Sequence, residues 1–215
     1  VLDRVLIVGS NLRKEHPLFA QRIRQAAKHG AKVYAVGSAR AADWAIALQG
    51  AVQASAAEWL GELSKIATAV AALNGVPAPT SAMADDAATA VAKALISGNE
   101  KAILLGNAAA HHEHASALLG LANWIGQQTG ATVGYLTEAA NTVGAQLVNA
   151  LPESDGLNAK QMLAGGAKAL FLLNVEPGLD TLGGKDTVSG VSKSQMVVTL
   201  SPFRTNLDCS DVLLP

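Results

Sequence analysis

One stretch near the start of the chain, residues 5–37, constrains the fold more than any other. Residues 5–8 are four apolar residues in succession, which is typical of a strand buried on both faces of a sheet. Pro17 suits the first turn of a following helix, Gly30 suits the end of that helix, and residues 32–36 again have strand character. The stretch predicts a strand–loop–helix–strand unit, in which ligands lie beside the loops that follow the strands.

The same alternation continues along the chain. Half of the 215 residues are hydrophobic, which is enough for a sizeable core. Further strands are predicted at 101–105, 168–174, 195–200 and 211–214, and helices at 54–73, 82–97, 112–129 and 156–166. This order predicts an α/β fold with two mostly parallel sheet units and Rossmann-like strand–helix–strand connections.

Two segments interrupt this order. Residues 74–81 hold two prolines and one glycine, so we predict a first unit at 1–75, a linker at 76–81 and a second unit at 82–215. Residues 181–193 are rich in glycine and small polar residues and are predicted to form a flexible or lid-like loop. The chain begins with Val1 rather than Met, and we expect it to be a piece of a longer protein.

Composition excludes several classes of function. A net charge of −1 gives no general attraction to nucleic acid or to an anionic membrane, and 4% aromatic residues argue against base stacking. No apolar run reaches the roughly 18 residues of a membrane-spanning helix. The single cysteine, Cys209, excludes an internal disulfide and an iron–sulfur cluster held by this chain alone, and it fits a reducing compartment.

Two loop regions near the start of the chain are possible anion sites. Gly9-Ser10-Asn11 could present backbone N–H groups to a phosphate, although an ordinary tight turn is favoured. Residues 13–32 hold six Lys or Arg, His16 and His29 against one acid, Glu15. An anion or an acidic partner would use such a patch. The favoured interpretation is the solvated face of a helix whose buried side is formed by Leu18, Phe19, Ile23, Ala26 and Ala27.

Other polar groups follow later strands. Residues 111–114, His-His-Glu-His, contain ligands for zinc or nickel, but adjacent residues on a helix diverge and cannot all converge on one ion. The favoured role is the opening of a helix, with Glu113 complementing its positive end. Glu176, before Pro177, could contact a ligand, although a turn is favoured. The sequence contains no recognisable arrangement of a nucleophile with its activating base, so no catalytic residue is predicted. No metal ligand is predicted either.

The order of these segments resembles the molybdopterin oxidoreductase superfamily. The matching pieces are residues 8–17, 105–114, 121–130, 169–177 and 197–215. Residues 12–25 and 106–145 are closer to one branch, the large iron–sulfur subunit (75 kDa or G subunit) of NADH:quinone oxidoreductase, respiratory complex I. The resemblance implies a fold of the formate dehydrogenase/DMSO reductase type, domains 1–3, and a fragment from the carboxyl-terminal half of that subunit.

In that branch the resemblance implies a structural and interaction domain of the peripheral arm. It would take part in NADH-to-quinone electron transfer only within the assembly and would be inactive alone. The iron–sulfur clusters would lie in the rest of the parent subunit, and this fragment would hold no cofactor. Gly9, Ser10, Asn11, Gly106 and Asn107 would be vestiges of a pterin site. The partners would be other peripheral-arm subunits, without nucleic acid or direct membrane insertion, on the cytoplasmic side of the inner membrane.

Two other classes of function stay open. The first is a cofactor- and substrate-binding domain of an active molybdopterin or tungstopterin oxidoreductase, and only this alternative implies a bound molybdopterin. The second is a stand-alone nucleotide-binding enzyme, which is disfavoured because the chain contains neither the dinucleotide fingerprint after its first strand nor a P-loop.

Overall fold

The computed structural model describes residues 2–38, 44–139, 141–152, 155–181 and 183–215. The chain divides into two compact units, Val1–Thr142 and Val143–Pro215. Each unit contains a parallel sheet whose strands alternate with helices, so the predicted α/β class is confirmed.

The sheet of the first unit has five parallel strands in the order β3-β2-β1-β4-β5. Its strands are β1 Arg4–Val8, β2 Lys32–Gly37, β3 Gly50–Gln53, β4 Lys101–Leu105 and β5 Thr132–Tyr135. The predicted strands at 5–8, 32–36 and 101–105 are confirmed. The two edge strands, β3 and β5, were not predicted, because each has only four residues and neither has a continuous buried run.

Helices cover both faces of this sheet. They are α1 Leu12–Glu15, α2 Pro17–Lys28, α3 Trp59–Asn74, α4 Asp86–Ser97, α5 Asn107–Ala110 and α6 Ala115–Thr129, with a 3₁₀ turn at Ala56–Glu58. Leu6 and Val8 pack into the core formed with α3, α4 and α6, whereas Val5 and Ile7 pack into the core formed with α2. All four side chains are fully buried, as expected for a central strand.

Helix α2 begins and ends where the sequence predicts. Pro17 occupies its first position, and Gly30, with φ of +95°, follows its end. Ala20, Ile23 and Ala26 form its buried stripe. The prediction that Leu18 is buried is wrong, since this side chain is 84% exposed. At 100° per residue Leu18 lies roughly 140° around the helix from Ile23, away from the core.

The structure corrects the predicted division at residues 76–81. Strand β4 pairs along its whole length with β1, so residues on both sides of this segment belong to one sheet. The segment connects α3 to α4, and these helices share the same core. Asn74 Nδ2 also donates to the carbonyl of Gln128 at 2.8 Å. Proline and glycine here mark a turn between packed helices, whereas the boundary between compact units follows Thr142.

The second unit holds a three-stranded parallel sheet in the order β6-β7-β8. Its strands are β6 Ala169–Leu173, β7 Met196–Leu200 and β8 Val212–Leu214, and its helices are α8 Ala159–Gln161, α9 Pro177–Asp180 and α10 Lys185–Val191, with a π-helical turn at Met162–Gly166. Helix α7, Thr142–Leu147, spans the boundary. Leu170, Leu172, Val191 and Val197 form the core of the unit.

The prediction of a lid-like loop at residues 181–193 is wrong over most of its length. Helix α10 occupies Lys185–Val191, and Val191 is fully buried. Gly190 packs so closely against the Leu163 carbonyl that any larger residue would clash there, so the glycine that suggested flexibility serves close packing instead. Residue 182 lies outside the described residues.

Within the described part of the chain, no helix is both long enough and apolar enough to cross a bilayer.

Candidate functional site

The loops that follow β1 and β4 meet at the carboxyl edge of the five-stranded sheet. The connections run from β1 to β2 on one side and into β4 on the other, so the strand order reverses between β1 and β4. In doubly wound sheets this reversal opens the crevice in which ligands bind. The Gly9 N–H donates to the Val36 carbonyl at 2.9 Å, and the Gly106 N–H donates to the Val8 carbonyl at 2.8 Å. The structure thus brings Gly9-Ser10-Asn11 beside Gly106-Asn107.

Both glycines are required by close packing between these loops. Gly9 has φ of +62°, and a Cβ atom there would lie 2.8 Å from the Ala109 nitrogen and 2.8 Å from Cζ3 of Trp59. A Cβ atom on Gly106 would lie 2.6 Å from the Gly9 oxygen. Side chains at these positions would push the loops apart, so the crevice has little space beside its two glycines.

The start of α5 points a backbone donor at the other loop. The Ala108 N–H, in the first turn of α5, donates to the Gly9 carbonyl at 3.1 Å. Phosphate sites of this kind use unpaired N–H groups at a helix start. Here one of those donors already has a partner within the chain.

A carboxylate also occupies the loop after β1. The Ser10 hydroxyl donates to Oε2 of Glu15 at 2.8 Å, and Ser10 is buried. The single turn of α1 ends at Glu15, whose carboxylate is within hydrogen-bond distance of Ser10, the second residue after β1. A negative charge at this distance from the loop disfavours a phosphate there, because two anions repel each other most strongly where water is partly excluded.

The histidine cluster forms a turn rather than the start of a helix. Helix α6 begins at Ala115, so the predicted start at His112 is wrong. Nδ1 of His112 accepts from the His114 backbone N–H at 2.9 Å, and Nε2 lies 2.9 Å from the Ala56 carbonyl. Because Nδ1 accepts, Nε2 carries the proton and donates to Ala56. These two hydrogen bonds of the His112 imidazole hold the turn, so α6 begins at Ala115 rather than at His112.

The three imidazoles face different partners. Nε2 of His111 lies 2.8 Å from Oε1 of Glu138, and both side chains are exposed. Nε2 of His114 lies 3.9 Å from Oε1 of Glu113. Within the described ranges, no three side chains of His, Cys, Asp or Glu are placed to hold a metal ion. The cluster serves as a connector between loops.

Trp59 closes the crevice from the side of β3. Its ring packs against the Gly9 position, stacks on His112 with ring centroids 5.8 Å apart, and donates from Nε1 to the Ala54 carbonyl at 3.1 Å. The sequence marked Trp59 only as a core residue of a helix. Neither its spacing nor that of Glu138 indicates that they meet loops more than 25 residues away.

In the second unit, Glu176 follows β6 as predicted and precedes α9. Its backbone N–H donates to Oδ2 of Asp180 at 2.7 Å, which makes this segment a capped turn. The side chains of Glu176, Lys185 and Cys209 line an open cavity of about 300 Å³. Burial raises the pKa of the Cys209 thiol, and Asp208 adds to the shift, so the reactive thiolate is disfavoured at neutral pH.

Comparisons with known proteins point to one family. The family model described as molybdopterin oxidoreductase matches residues 2–215. No curated protein matches the sequence. Among solved structures, the chain is similar to a chain of the formyltransferase/hydrolase complex (FhcABCD) from Methylorubrum extorquens in complex with methylofuran, with a TM-score of 0.60 and 16% identity. That match covers 99% of this chain but 62% of the other, and it shows a shared fold alone.

Proposed function

The chain belongs to the molybdopterin oxidoreductase family, and from that premise we propose that it is a structural and interaction domain without a molybdenum cofactor. We place it in the large (75 kDa or G) subunit of NADH:quinone oxidoreductase. In this role it takes part in NADH-to-quinone electron transfer only within the assembled complex.

The Glu15 carboxylate on Ser10 is the observation that carries the proposal. A pterin dinucleotide brings a pyrophosphate, which needs several free backbone donors and nearby positive charge. At the reversal between β1 and β4 the chain presents a carboxylate, and the Gly9 carbonyl already accepts from Ala108. Trp59 and Ala109 fill the space beside Gly9. The residues present do not fit the dinucleotide at this edge.

The assignment to complex I rests on the sequence resemblance of residues 12–25 and 106–145. On this proposal the partners are other subunits of the peripheral arm. The domain is held at the cytoplasmic face of the inner membrane by the assembly, and electrons pass through iron–sulfur clusters in the remainder of the subunit. The single Cys209 agrees with cluster ligands that lie elsewhere.

One observation favours the alternative of a cofactor- and substrate-binding domain in an active molybdopterin oxidoreductase. Oδ1 of Asn107 is buried and has no hydrogen-bond partner among the described residues. This amide follows Gly106 at the reversal of strand order, where an N–H group of a bound ligand would satisfy it. The two proposals differ in whether a pterin cofactor binds at this edge of the sheet.

Metal analysis of the full-length parent protein, purified from its host, separates the two. We expect several iron atoms per chain and no stoichiometric molybdenum or tungsten by mass spectrometry. Oxidised extracts should also lack the fluorescence of pterin derivatives. Stoichiometric molybdenum together with pterin would overturn the proposal in favour of the alternative.

A further inference from the structure

One face of the three-stranded sheet in the second unit is apolar. Neighbouring strands pair residue for residue, and successive side chains of a strand alternate between the two faces of the sheet. Two rows of three apolar residues therefore cross one face, with Phe171, Val198 and Val212 in the first row and Leu173, Leu200 and Leu214 in the second. No side chain in these rows is charged or polar.

This face, called the Phe171 face below, is exposed in the part of the chain that the structure describes. Phe171 is 60% exposed and Leu173 is 61% exposed, and Met196, which precedes Val198 on the same face, is 46% exposed. At roughly 150–200 Å² for a large apolar side chain, the face leaves on the order of 500 Å² of contiguous apolar surface in water. Single exposed apolar residues are ordinary, whereas a contiguous patch of this size often serves binding.

The opposite face of the same sheet is covered by helical elements. Leu170, Leu172 and Val197 are buried there, in one core with Val191 of α10, and Leu163 of the π-helical turn packs against that core. Sheets made only of parallel strands almost always carry helices on both faces. Within the described residues, the Phe171 face has no such layer, because Phe171 and Leu173 keep most of their surface exposed.

A second copy of this chain is a poor fit to the Phe171 face. Two copies packed face to face would bury on the order of 1,000 Å² in total, less than the roughly 1,200–2,000 Å² of a stable interface. Face-to-face packing of two sheets is also typical of antiparallel sandwiches, whereas parallel sheets are covered by helices. Both the area and the strand direction therefore favour a helix.

The dimensions of the sheet match one helix. The five residues of β6 span about 16 Å, which is the length of about 11 helical residues. The outer strands lie about 10 Å apart, which is close to the diameter of one helix. The solved chain of similar fold is longer than the region that it shares with this chain, which covers 62% of it. A polypeptide with this fold can therefore carry a further helix.

We propose that the Phe171 face binds an amphipathic α-helix from the same longer polypeptide, formed by residues outside this chain. The helix presents apolar side chains at positions i, i+3, i+4 and i+7 to the two rows and polar side chains to water. The inference does not rest on the proposed function, because it follows from the sheet alone and its test does not depend on metal content.

Hydroxyl-radical oxidation of the wild-type full-length parent protein tests whether the face is covered, without any substitution. Met196 is compared with Met83, which is 88% exposed, and Phe171 with Phe203, which is 69% exposed. Each rate is divided by the rate in the urea-unfolded protein. An open face predicts a Met196 rate about half that of Met83 and a Phe171 rate close to that of Phe203. Because oxidation follows exposure, we expect both ratios to be roughly tenfold lower.

Photo-crosslinking of the same parent protein identifies the covering segment. Phe171 is replaced by p-benzoylphenylalanine, which keeps an aromatic ring. The matched control carries the same replacement at Phe203, which lies in the connection after β7 rather than on the face. After illumination and digestion, mass spectrometry identifies the cross-linked peptides. We expect the Phe171 position to cross-link to a segment of the same polypeptide that has apolar residues at helical spacing.

The outcomes separate a helix from other occupants. Low oxidation ratios together with that cross-link support the proposal. Oxidation ratios close to those set by the exposed fractions would overturn it, because the face would then be open. A cross-link from the Phe171 position to a second copy of this chain, to another subunit, to lipid or to a segment without helical spacing would overturn it too. Equal yield of the same cross-link from the Phe203 position would also contradict it.

Discussion

The hydroxyl of Ser10 donates a 2.8 Å hydrogen bond to Oε2 of Glu15 at the end of the central strand of the larger sheet. Ser10 is 7% exposed, so the hydroxyl end of the bond lies largely out of water. The carboxylate takes the hydroxyl that a strand-end loop would otherwise offer to a bound phosphate. The Glu15 carboxylate also places a negative charge in the loop where a pterin dinucleotide would need hydrogen-bond donors for its phosphates.

Replacing Glu15 by Ala should lower the free energy of unfolding by about 1 kcal/mol, because Ser10 then loses its partner in a buried place. Glu15→Gln keeps an acceptor oxygen and should lose less. Chemical denaturation measures both. Glu113→Ala is the control: its carboxylate is 72% exposed and 3.9 Å from His114, so its loss should change stability by less than about 0.5 kcal/mol. Equal stability of Glu15→Ala and wild type would contradict this role.

Gly9→Ala should destabilise the protein by roughly 2 kcal/mol or more, because φ is +62° and the new Cβ would lie 2.8 Å from the Ala109 nitrogen. Thermal and denaturant unfolding measure the loss. Gly134→Ala is the matched control, since a Cβ atom there meets nothing within 4 Å and φ is not positive. Full stability of both variants would show that the two loops do not approach each other this closely.

Asp85 caps the start of α4 and makes stability depend on pH. Its side chain accepts from the Ala88 N–H at 2.8 Å, and this bond, assisted by Lys65, holds the pKa of Asp85 below its ordinary value. A lowered folded-state pKa means that the stabilisation is complete above the ordinary pKa. It is lost as the pH falls through the lowered value.

Asp85→Ala should therefore cost about 1 kcal/mol at neutral pH, and its difference from wild type should shrink in acid. Asp85→Asn keeps a capping oxygen and should stay close to wild type at neutral pH. Thermal unfolding of the three proteins across the acid range checks the sign. A difference between Asp85→Ala and wild type that grows towards low pH would exclude the capping role.

Limited proteolysis should separate the two compact units. Leu147 is 82% exposed and Leu151 is 54% exposed, whereas the connection between α3 and α4 is tied down through Asn74 and Thr80. Brief digestion with proteinase K, which cleaves after many types of residue and so could also cut within residues 74–81, should cut first between residues 147 and 151 and give fragments that match the two units. Terminal sequencing and mass spectrometry identify the cut. A first cut within residues 74–81 would favour the boundary predicted from composition.

Much of the fold follows from local patterns in the sequence. The first strand and the first long helix could be predicted from the buried run at residues 5–8, from Pro17 and from Gly30. Each of these features acts through its own burial or backbone geometry. Edge strands such as β3 lack a continuous buried run, so the sequence does not predict them. Residues 76–81 have the composition of a linker, but only the pairing of β1 with β4 shows which residues share a sheet. Strand pairing is long-range and leaves no local signature.

Part of the candidate site could be predicted from the sequence. Gly9 and Gly106 stand at strand ends, and the rule for doubly wound sheets brings such loops together. What fills the crevice could not be predicted, because Trp59 reaches it from another crossover and has the spacing of a core residue. The hydrogen bond between Ser10 and Glu15 depends on the tight turn of α1, which is too short to appear as a periodic pattern.

The chain on its own should hold no iron and should not oxidise NADH. One thiol cannot replace the four ligands that an iron–sulfur cluster usually needs, and burial raises the pKa of that thiol in Cys209. The chain also lacks the glycine fingerprint for the dinucleotide after β1. Anaerobically purified protein should therefore show no visible absorbance from a cluster, no stoichiometric iron, and no reduction of ferricyanide by NADH above a heat-treated control. The Cys209→Ser variant should behave identically in all three measurements. Iron that is present in the wild type and lost in Cys209→Ser would show that the chain shares a cluster with another copy or partner. The proposal that all cluster ligands lie in the rest of the subunit would then be wrong.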